Sequence, residues 1–277
     1  EAVIDAADCV YVATPPASHI AYGTQILNAG KALFLEKPLS HDMEEARDFV
    51  AFVEGGGHRA AVNFIFASSP SVEQLKTWAR DGLLGETVER ISIDVAFATW
   101  PRPWQMAAAD WLSKRAEGGF TREVVSHFLF LARRLAGPLE LKKANVSYPD
   151  DGESCEDNIG ALIESSGVPI QLSGRVGATN ADDTNMTVIT GDAGAIRLRD
   201  WSIAELRLFD GSWGEAPNGI PHAEMRPLLL KGQLEKLAAM TRGEEHSLAT
   251  VREALEVQEI VEAILASDQP TLGGGSA

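Results

Sequence analysis

The sequence predicts an α/β protein in which a partial parallel sheet is followed by an α+β domain with a large, mainly antiparallel sheet. Up to residue 63, short apolar runs alternate with helical patterns, as they do in βαβ units. From residue 139 to residue 209, about five alternating segments are separated by turns, which indicates a sheet with one covered face. Two amphipathic helices then close the chain. We therefore expect two domains, residues 1–68 and residues 69–277.

The first domain contains three predicted strands and two predicted helices. Ser18 is expected to cap a helix that ends at Gly30, because glycine suits the position that follows a helix. Asp42 is expected to cap a second helix, which stops at the glycines of residues 55–57. The strands are short continuous apolar runs, typical of a buried parallel sheet. They are predicted at residues 10–13, 32–35 and 60–63.

The pattern changes after Pro70, where the second domain begins with a helix and a long strand. A proline-rich stretch at residues 100–104 breaks regular structure, and Gly137-Pro138 stops the next helix. The glycine-rich residues 271–277 are expected to fray. The helices of this domain are predicted at residues 72–79, 123–135, 228–240 and 251–265, and its first strand at residues 87–97.

Composition excludes several classes of function. The chain has 277 residues and a formal net charge of −16, which argues against a nucleic-acid or anionic-membrane partner because phosphate contact needs a basic surface. No apolar run approaches the roughly 20 residues of a membrane span. Two cysteines, Cys9 and Cys155, do not make a disulfide scaffold. The histidines lack metal-ligand spacing, so we predict no metal site. Because neither a signal peptide nor a membrane span is recognised, we expect a cytoplasmic protein.

Five short motifs occur in an order that is specific, although each motif alone is common. Ala13 begins Ala-Thr-Pro-Pro-x-x-His, Glu36 begins Glu-Lys-Pro, and Gly118-Gly119 precedes His127. Glycine-containing turns at residues 82–86 and 191–196 complete the set. In this order the motifs resemble the Gfo/Idh/MocA family of NAD(P)-dependent oxidoreductases, over nearly the whole chain.

The resemblance implies that the first domain is a truncated Rossmann sheet, the second half of a dinucleotide-binding domain. No strand in the sequence is followed by G-x-G-x-x-G, the turn that usually holds the pyrophosphate of the cofactor. The implied cofactor is NAD or NADP, and the choice stays open because the residue that reads the ribose 2′ position would belong to the other half. The implied cofactor-binding residues are Ala13, Thr14, Pro15, Pro16, His19, Glu36, Lys37 and Pro38.

Lys37, Glu123 and His127 are the predicted catalytic residues. Hydride transfer from an alcohol needs a base for the hydroxyl proton and a donor that stabilises the developing charge on oxygen. Lys37 follows a strand, at the edge where open α/β sheets bind ligands, and its ammonium would bond the reacting hydroxyl. Glu123 and His127 are four residues apart, so the carboxylate is expected to orient the imidazole and to raise its basicity. The family usually has Asp at the position of Glu123.

The implied small-molecule substrate is a sugar, an inositol or a related polyol. Asn63, Trp104 and Arg122 are the candidate substrate-binding residues. An aromatic face at Trp104 beside Arg102 would suit a polyol, but a packed loop cluster explains the same residues. Arg122 is either a substrate contact or a solvated charge.

Other interpretations of the same residues remain open at this point. Lys37 taken alone is more typical of a solvated lysine before a turn, and Glu123 with His127 also fits a helix-surface pair. A non-catalytic relative could use the second domain for ligand binding or for oligomerisation, and a Schiff-base lysine enzyme ranks last because nothing suggests an apolar pocket around Lys37. We expect a homo-dimer or homo-tetramer formed through the sheet of the second domain.

Overall fold

A computed structural model describes residues 2–217 and 219–267 of the chain. Within these ranges no helix combines the length and the apolar character needed to cross a membrane. The predicted fold class is confirmed: a three-stranded parallel sheet is followed by an eight-stranded, mainly antiparallel one. The predicted fraying of residues 271–277 lies outside the described residues.

The first sheet has the order β1-β2-β3, and all three strands run parallel. Every residue of the middle strand is buried, as its continuous apolar pattern predicts. The Asp42 carboxylate accepts hydrogen bonds from two backbone N–H groups of the second long helix, which confirms the predicted cap. The strands of the first sheet and the helices that precede or connect them are α1 (Ala2–Ala6), β1 (Cys9–Val12), α2 (His19–Asn28), β2 (Ala32–Leu35), α3 (Met43–Gly55) and β3 (Ala60–Val62).

Ser18 begins α2 in a different way from the predicted one. Residues Pro16–Ser18 form a 3₁₀ turn, and the Ser18 hydroxyl donates to the Thr14 hydroxyl at 2.7 Å instead of capping the helix. Gly30 follows α2 with a φ of 73°, so its predicted role after the helix is confirmed.

The helical segment predicted at residues 123–135 is two different structures. Thr121–Val125 forms a π-helical turn, and an α-helix follows it. A π turn widens the backbone by one residue and therefore rotates the side chains it carries, and such turns are frequent at functional sites. Residues 70–136 contain α4 (Pro70–Arg80), β4 (Val88–Phe97), α5 (Ala109–Leu112) and α6 (Ser126–Ala136).

The second sheet has the order β11-β10-β9-β8-β4-β7-β6-β5, in which β4 and β7 are the parallel pair. Residues 139–209 contain six strands, one more than the alternation predicts, and a short seventh follows. They are β5 (Glu140–Ser147), β6 (Asn158–Ser165), β7 (Val168–Val176), β8 (Asp183–Gly191), β9 (Ala195–Arg199), β10 (Ile203–Arg207) and β11 (Trp213–Glu215).

The two closing helices, α7 (His222–Arg242) and α8 (Val251–Leu265), return to the first sheet. The α7 helix begins six residues before the predicted start, because its backbone continues through Pro227. The α8 helix has the predicted bounds, and its Gln258 side chain bonds the backbone of Leu39 and Ser40 at 2.9 and 2.6 Å. Contacts of this kind fix the ends of the first-sheet strands against the rest of the fold. The predicted division at residue 68 stays a prediction.

Candidate functional site

A cavity of about 740 Å³ lies where the carboxyl ends of β1, β2 and β3 meet the π turn, the β9–β10 hairpin and α7. This volume is in the usual range for small-molecule sites, and the carboxyl edge of a parallel sheet is where α/β proteins bind ligands. Tyr11, Glu36 and Asn63 come from the sheet. Glu123 and His127 come from the π turn and from α6.

Lys37 and Glu123 form an ion pair between the first sheet and the π turn. The Lys37 Nζ donates to Glu123 Oε2 at 2.8 Å, and the two side chains are 8% and 14% exposed. Glu123 lines the cavity, whereas Lys37 lies outside the lining and is bonded to Glu123. The pair therefore places a carboxylate in the cavity wall and a cation next to that carboxylate.

His127 lies in the first turn of α6 and is 8% exposed. Its ring is edge-on to Phe64 and Trp201, with ring centres 5.5 and 6.2 Å away. Burial, together with the charges of Lys37 and Arg102, holds the pKa of this imidazole well below its usual value. His127 is therefore neutral near pH 7, and its Nδ1 has no hydrogen-bond partner among the described residues.

The structure corrects the predicted relation between Glu123 and His127. Four-residue spacing on an α-helix predicts that the carboxylate lies against the imidazole and raises its basicity. Glu123 lies in the π turn instead, where its carboxylate turns to Lys37, and the pKa of His127 is lowered rather than raised. Glu123 thus orients the lysine, and His127 is oriented by aromatic packing.

Glu36 is held by neutral donors at the carboxyl edge of the sheet. Its Oε1 accepts from Asn63 Nδ2 at 2.6 Å and from the Tyr11 hydroxyl. Asn63 in turn accepts from Gln233 of α7 at 2.5 Å. Burial and the charge of Glu36 raise the pKa of Tyr11, which keeps the phenol protonated. The network fixes Glu36 and Asn63 at the cavity, and sequence reasoning missed Tyr11 and Gln233.

His19 is a positioning residue of the loop after β1. It is 1% exposed, and its Nδ1 and Nε2 lie 2.8 Å from the Pro38 carbonyl and 2.7 Å from the Thr14 carbonyl. The ring therefore ties the first motif to the Glu-Lys-Pro turn through both of its nitrogens, and its predicted contact with a cofactor stays a prediction. Of the remaining loop residues, Ala13, Thr14 and Pro15 are exposed, whereas Pro16 is buried.

Arg122 does not reach the cavity, so the predicted substrate contact is corrected. Its Nε and Nη2 each donate to the Glu262 carboxylate at 2.7 Å, and its Nη1 donates to the carbonyls of Arg115 and Gly118 at 2.8 Å. These bonds connect the π turn to α8. Arg122 is therefore neither a substrate contact nor a solvated charge. It is a largely buried structural cation.

Glu156 and the Gly-Gly motif set the start of the π turn. Glu156 Oε1 accepts from the backbone N–H of Thr121 at 2.7 Å, and burial raises the pKa of this carboxyl. A Cβ on Gly119 would overlap the Glu156 carboxylate, and a Cβ on Gly118 would overlap backbone carbonyls of α5. Glycine is needed at both positions because the backbone approaches so closely.

Trp104 lies at the rim of the cavity and is 66% exposed. The Arg102 guanidinium is 4.6 Å from its ring centre and donates to Asp183 at 2.6 Å. The same Asp183 carboxylate accepts from the indole N–H of Trp201 at 3.1 Å. No sequence motif marks Asp183 or Trp201. The two residues meet because β8 pairs with β9, which leads into the turn that contains Trp201.

Its position makes the cavity a candidate site for the nicotinamide end of a dinucleotide. It opens at the carboxyl edge of a parallel sheet, and the exposed loop after β1 borders that edge. The described residues contain no glycine-rich turn after a strand that could hold a pyrophosphate, in agreement with the sequence. Of the predicted cofactor residues, Glu36 lines the cavity, and the contacts of the others stay a prediction.

Comparisons with known proteins find similar sequences and a similar fold. A sequence model of an oxidoreductase family with an NAD-binding Rossmann fold matches residues 1–64. Oxidoreductase P35 of Formosa agariphila is 26% identical over 195 residues, which cover 69% of this chain and 59% of that protein. Inositol 2-dehydrogenase of Rhizobium meliloti is 29% identical over 130 residues, covering 47% of this chain and 37% of the relative. The chain thus spans less than two thirds of the length of these relatives.

A solved oxidoreductase from Agrobacterium radiobacter, in complex with NAD+, L-tartaric acid and magnesium, has the same fold. The two structures align with a TM-score of 0.77 at 18% identity, over 96% of this chain and 80% of the other. With 18% identity, this structural match shows the fold alone, so the substrate must be argued from the site.

Proposed function

Because the chain belongs to the Gfo/Idh/MocA family of oxidoreductases, we propose that it transfers a hydride between NAD or NADP and a hydroxyl-bearing carbon of a sugar, an inositol or a related polyol. The observation that carries the proposal is the joint placement of Lys37, Glu123 and His127 at the carboxyl edge of the Rossmann strands. A carboxylate and a neutral imidazole in the cavity wall, with a cation next to the carboxylate, are the groups that alcohol oxidation needs.

Each of these residues has its own role in the proposed hydride transfer. The nicotinamide, when bound, accepts or supplies the hydride. The neutral His127 imidazole can accept the hydroxyl proton of the substrate, since its lowered pKa leaves the ring unprotonated. The Lys37 ammonium stabilises negative charge that develops on the same oxygen, and Glu123 holds the ammonium in place. Glu36, fixed by Tyr11 and Asn63, offers an acceptor for further hydroxyl groups.

The first test is a fluorescence titration of the chain with NADH and with NADPH, followed by turnover assays with myo-inositol and related sugars. Lys37→Ala should lower turnover by orders of magnitude while the cofactor affinity stays close to that of the parent. Lys76→Ala is the matched control, because Lys76 forms an exposed pair on α4 and should change neither quantity. Near-parental turnover of Lys37→Ala would refute the role of this lysine. Absence of cofactor binding would favour the non-catalytic alternative.

We further propose that the chain forms a homo-oligomer in the cytoplasm, through the open face of its second sheet. Ile163 of β6 is buried on the covered face, whereas its neighbour Leu162 points to the other face and is 51% exposed. An exposed leucine in a broad sheet is a suitable centre for an interface. Leu162→Asp should therefore reduce the mass measured by light scattering, and an unchanged mass would count against this surface.

A further inference from the structure

The turn between β9 and β10 has an unusual backbone. Asp200 and Trp201 have φ values of 47° and 68°, and Ser202 N donates to the Arg199 carbonyl, so the two residues are the centre of a type I′ turn. Such turns strongly favour Asn-Gly, because both central residues need a positive φ. A tryptophan at the second position is strained, and backbone strain of this kind collects at functional sites.

Hydrogen bonds hold the strained turn in one orientation. The Trp201 N–H donates to the Asn185 side-chain oxygen at 2.9 Å, and the Asp200 N–H donates to the Asn185 carbonyl at 3.0 Å. The indole N–H donates to Asp183, as described above. Backbone and ring are thus fixed separately, by two residues of β8.

The fixed indole forms part of the cavity wall beside His127. One side of the ring packs against Phe128 and Phe66, with ring centres 4.9 and 5.9 Å away. The ring also borders the cavity, into which Glu123 and His127 point. A hairpin built only for stability would have an unstrained glycine here, so the strain coincides with the placement of an aromatic surface next to the proposed base.

Asp183 joins this surface to a second indole. Its other carboxylate oxygen accepts from Arg102, whose guanidinium lies over the ring of Trp104 at the rim. The carboxylates of Glu36, Glu123 and Asp182 also line the cavity. A ligand between these groups meets flat apolar surfaces as well as hydrogen-bond acceptors.

We propose that Trp201 is a specificity-determining residue, whose indole packs against the C–H face of a cyclic polyol while the surrounding carboxylates accept bonds from the hydroxyl groups. The inference rests on the proposed function, since it concerns the substrate of the same site. A cyclitol or pyranose ring offers a compact face of C–H groups, which the negative π face of an indole attracts and desolvates. An open-chain polyol offers no such face, so Trp201 selects cyclic over open-chain substrates.

The test compares myo-inositol with D-glucitol, an open-chain polyol with the same number of carbons and hydroxyl groups. Binding to the full chain is measured by titration calorimetry, with and without NADH or NADPH. Trp201→Leu should weaken myo-inositol binding about three- to tenfold and leave D-glucitol binding nearly unchanged. Trp201→Phe, which keeps an aromatic face, should lose less than Trp201→Leu.

Two further variants keep the test decisive. Trp201→Asn suits a positive φ, so it preserves the turn while removing the ring, and it should show the same selective loss if Trp201→Leu folds poorly. Trp213→Leu removes an indole of β11 that packs against the Arg197 guanidinium of β9, and it should leave both affinities unchanged. Equal losses for the two polyols, or no loss, would overturn the role of Trp201 alone. If the parent chain binds neither polyol under any condition, the proposed substrate class is overturned, and this inference with it.

Discussion

Removing one charge of the ion pair between Lys37 and Glu123 should strongly destabilise the protein, although only one ion pair is lost. Lys37→Met leaves the Glu123 carboxylate without its cation, and Glu123→Gln leaves the ammonium without its carboxylate. Both side chains are largely buried, at 8% and 14% exposure, so water can replace the missing partner only in part. The double variant removes both charges and leaves neither uncompensated.

The expected magnitudes follow from this burial. Each single substitution should lower the free energy of unfolding by about 3 kcal/mol or more, the usual cost of leaving one charge of a buried pair alone. The double variant should lose only about 1–2 kcal/mol, because two neutral side chains of similar size need no partner. The coupling energy is then roughly 4 kcal/mol, far above the value of about 0–1 kcal/mol for surface pairs.

Urea unfolding of the parent, the two single variants and the double variant gives this coupling energy directly. Lys76 and Glu73 on α4 form a matched control, since they are 32% and 59% exposed and should couple by about 0.5 kcal/mol or less. Additive losses at Lys37 and Glu123 would show that the two side chains act independently, and would remove the reason for assigning Glu123 the task of holding the lysine.

Three further predictions concern His127 and Gly119. His127→Asn should lower turnover about 10²–10⁴-fold, with a similar loss across neutral pH because the imidazole is neutral there. Since the folded-state pKa of His127 lies below the unfolded value of about 6.5, its contribution to stability is complete above that pH and is lost on acidification, by up to about 1.4 kcal/mol per pH unit. Urea midpoints should therefore fall more steeply below about pH 6.5 for the parent than for His127→Asn, and parallel curves would contradict the assigned pKa. Gly119→Ala should cost about 2 kcal/mol or more, because φ is 105° and the new Cβ meets Glu156. Gly57→Ala, with a φ of 60° and open space around it, should cost only about 1 kcal/mol in the same assay, and equal losses would refute the predicted clash.

Local patterns predicted the elements whose physical causes are local. The continuous apolar run of residues 32–35 gave the buried central strand, and Asp42 gave the start of α3, because burial periodicity and capping act within a few residues. The β9–β10 hairpin was harder to recognise. Its Asp200-Trp201 turn has tryptophan where such turns usually have glycine, and contacts from β8 hold its backbone.

The candidate site shows the same division between local and distant causes. Order of motifs along the chain was enough to select Lys37, Glu123 and His127, and a resemblance supplied their chemistry. Their mutual geometry was mispredicted, because four-residue spacing implies a shared face only in an α-helix. Glu156 lies far along the chain and holds the start of the π turn, which directs Glu123 to Lys37 instead.

The sequence by itself therefore predicted a resemblance to a family, the order of most elements and several residue types at the cavity. Tertiary structure alone decided which groups touch. It paired Glu123 with Lys37, fixed His19 between two carbonyls, turned Arg122 to α8 and brought Trp201 next to His127. The reason is that ion pairs, buried pKa values and aromatic walls depend on distances between segments far apart in the chain, and no local pattern of residues specifies those distances.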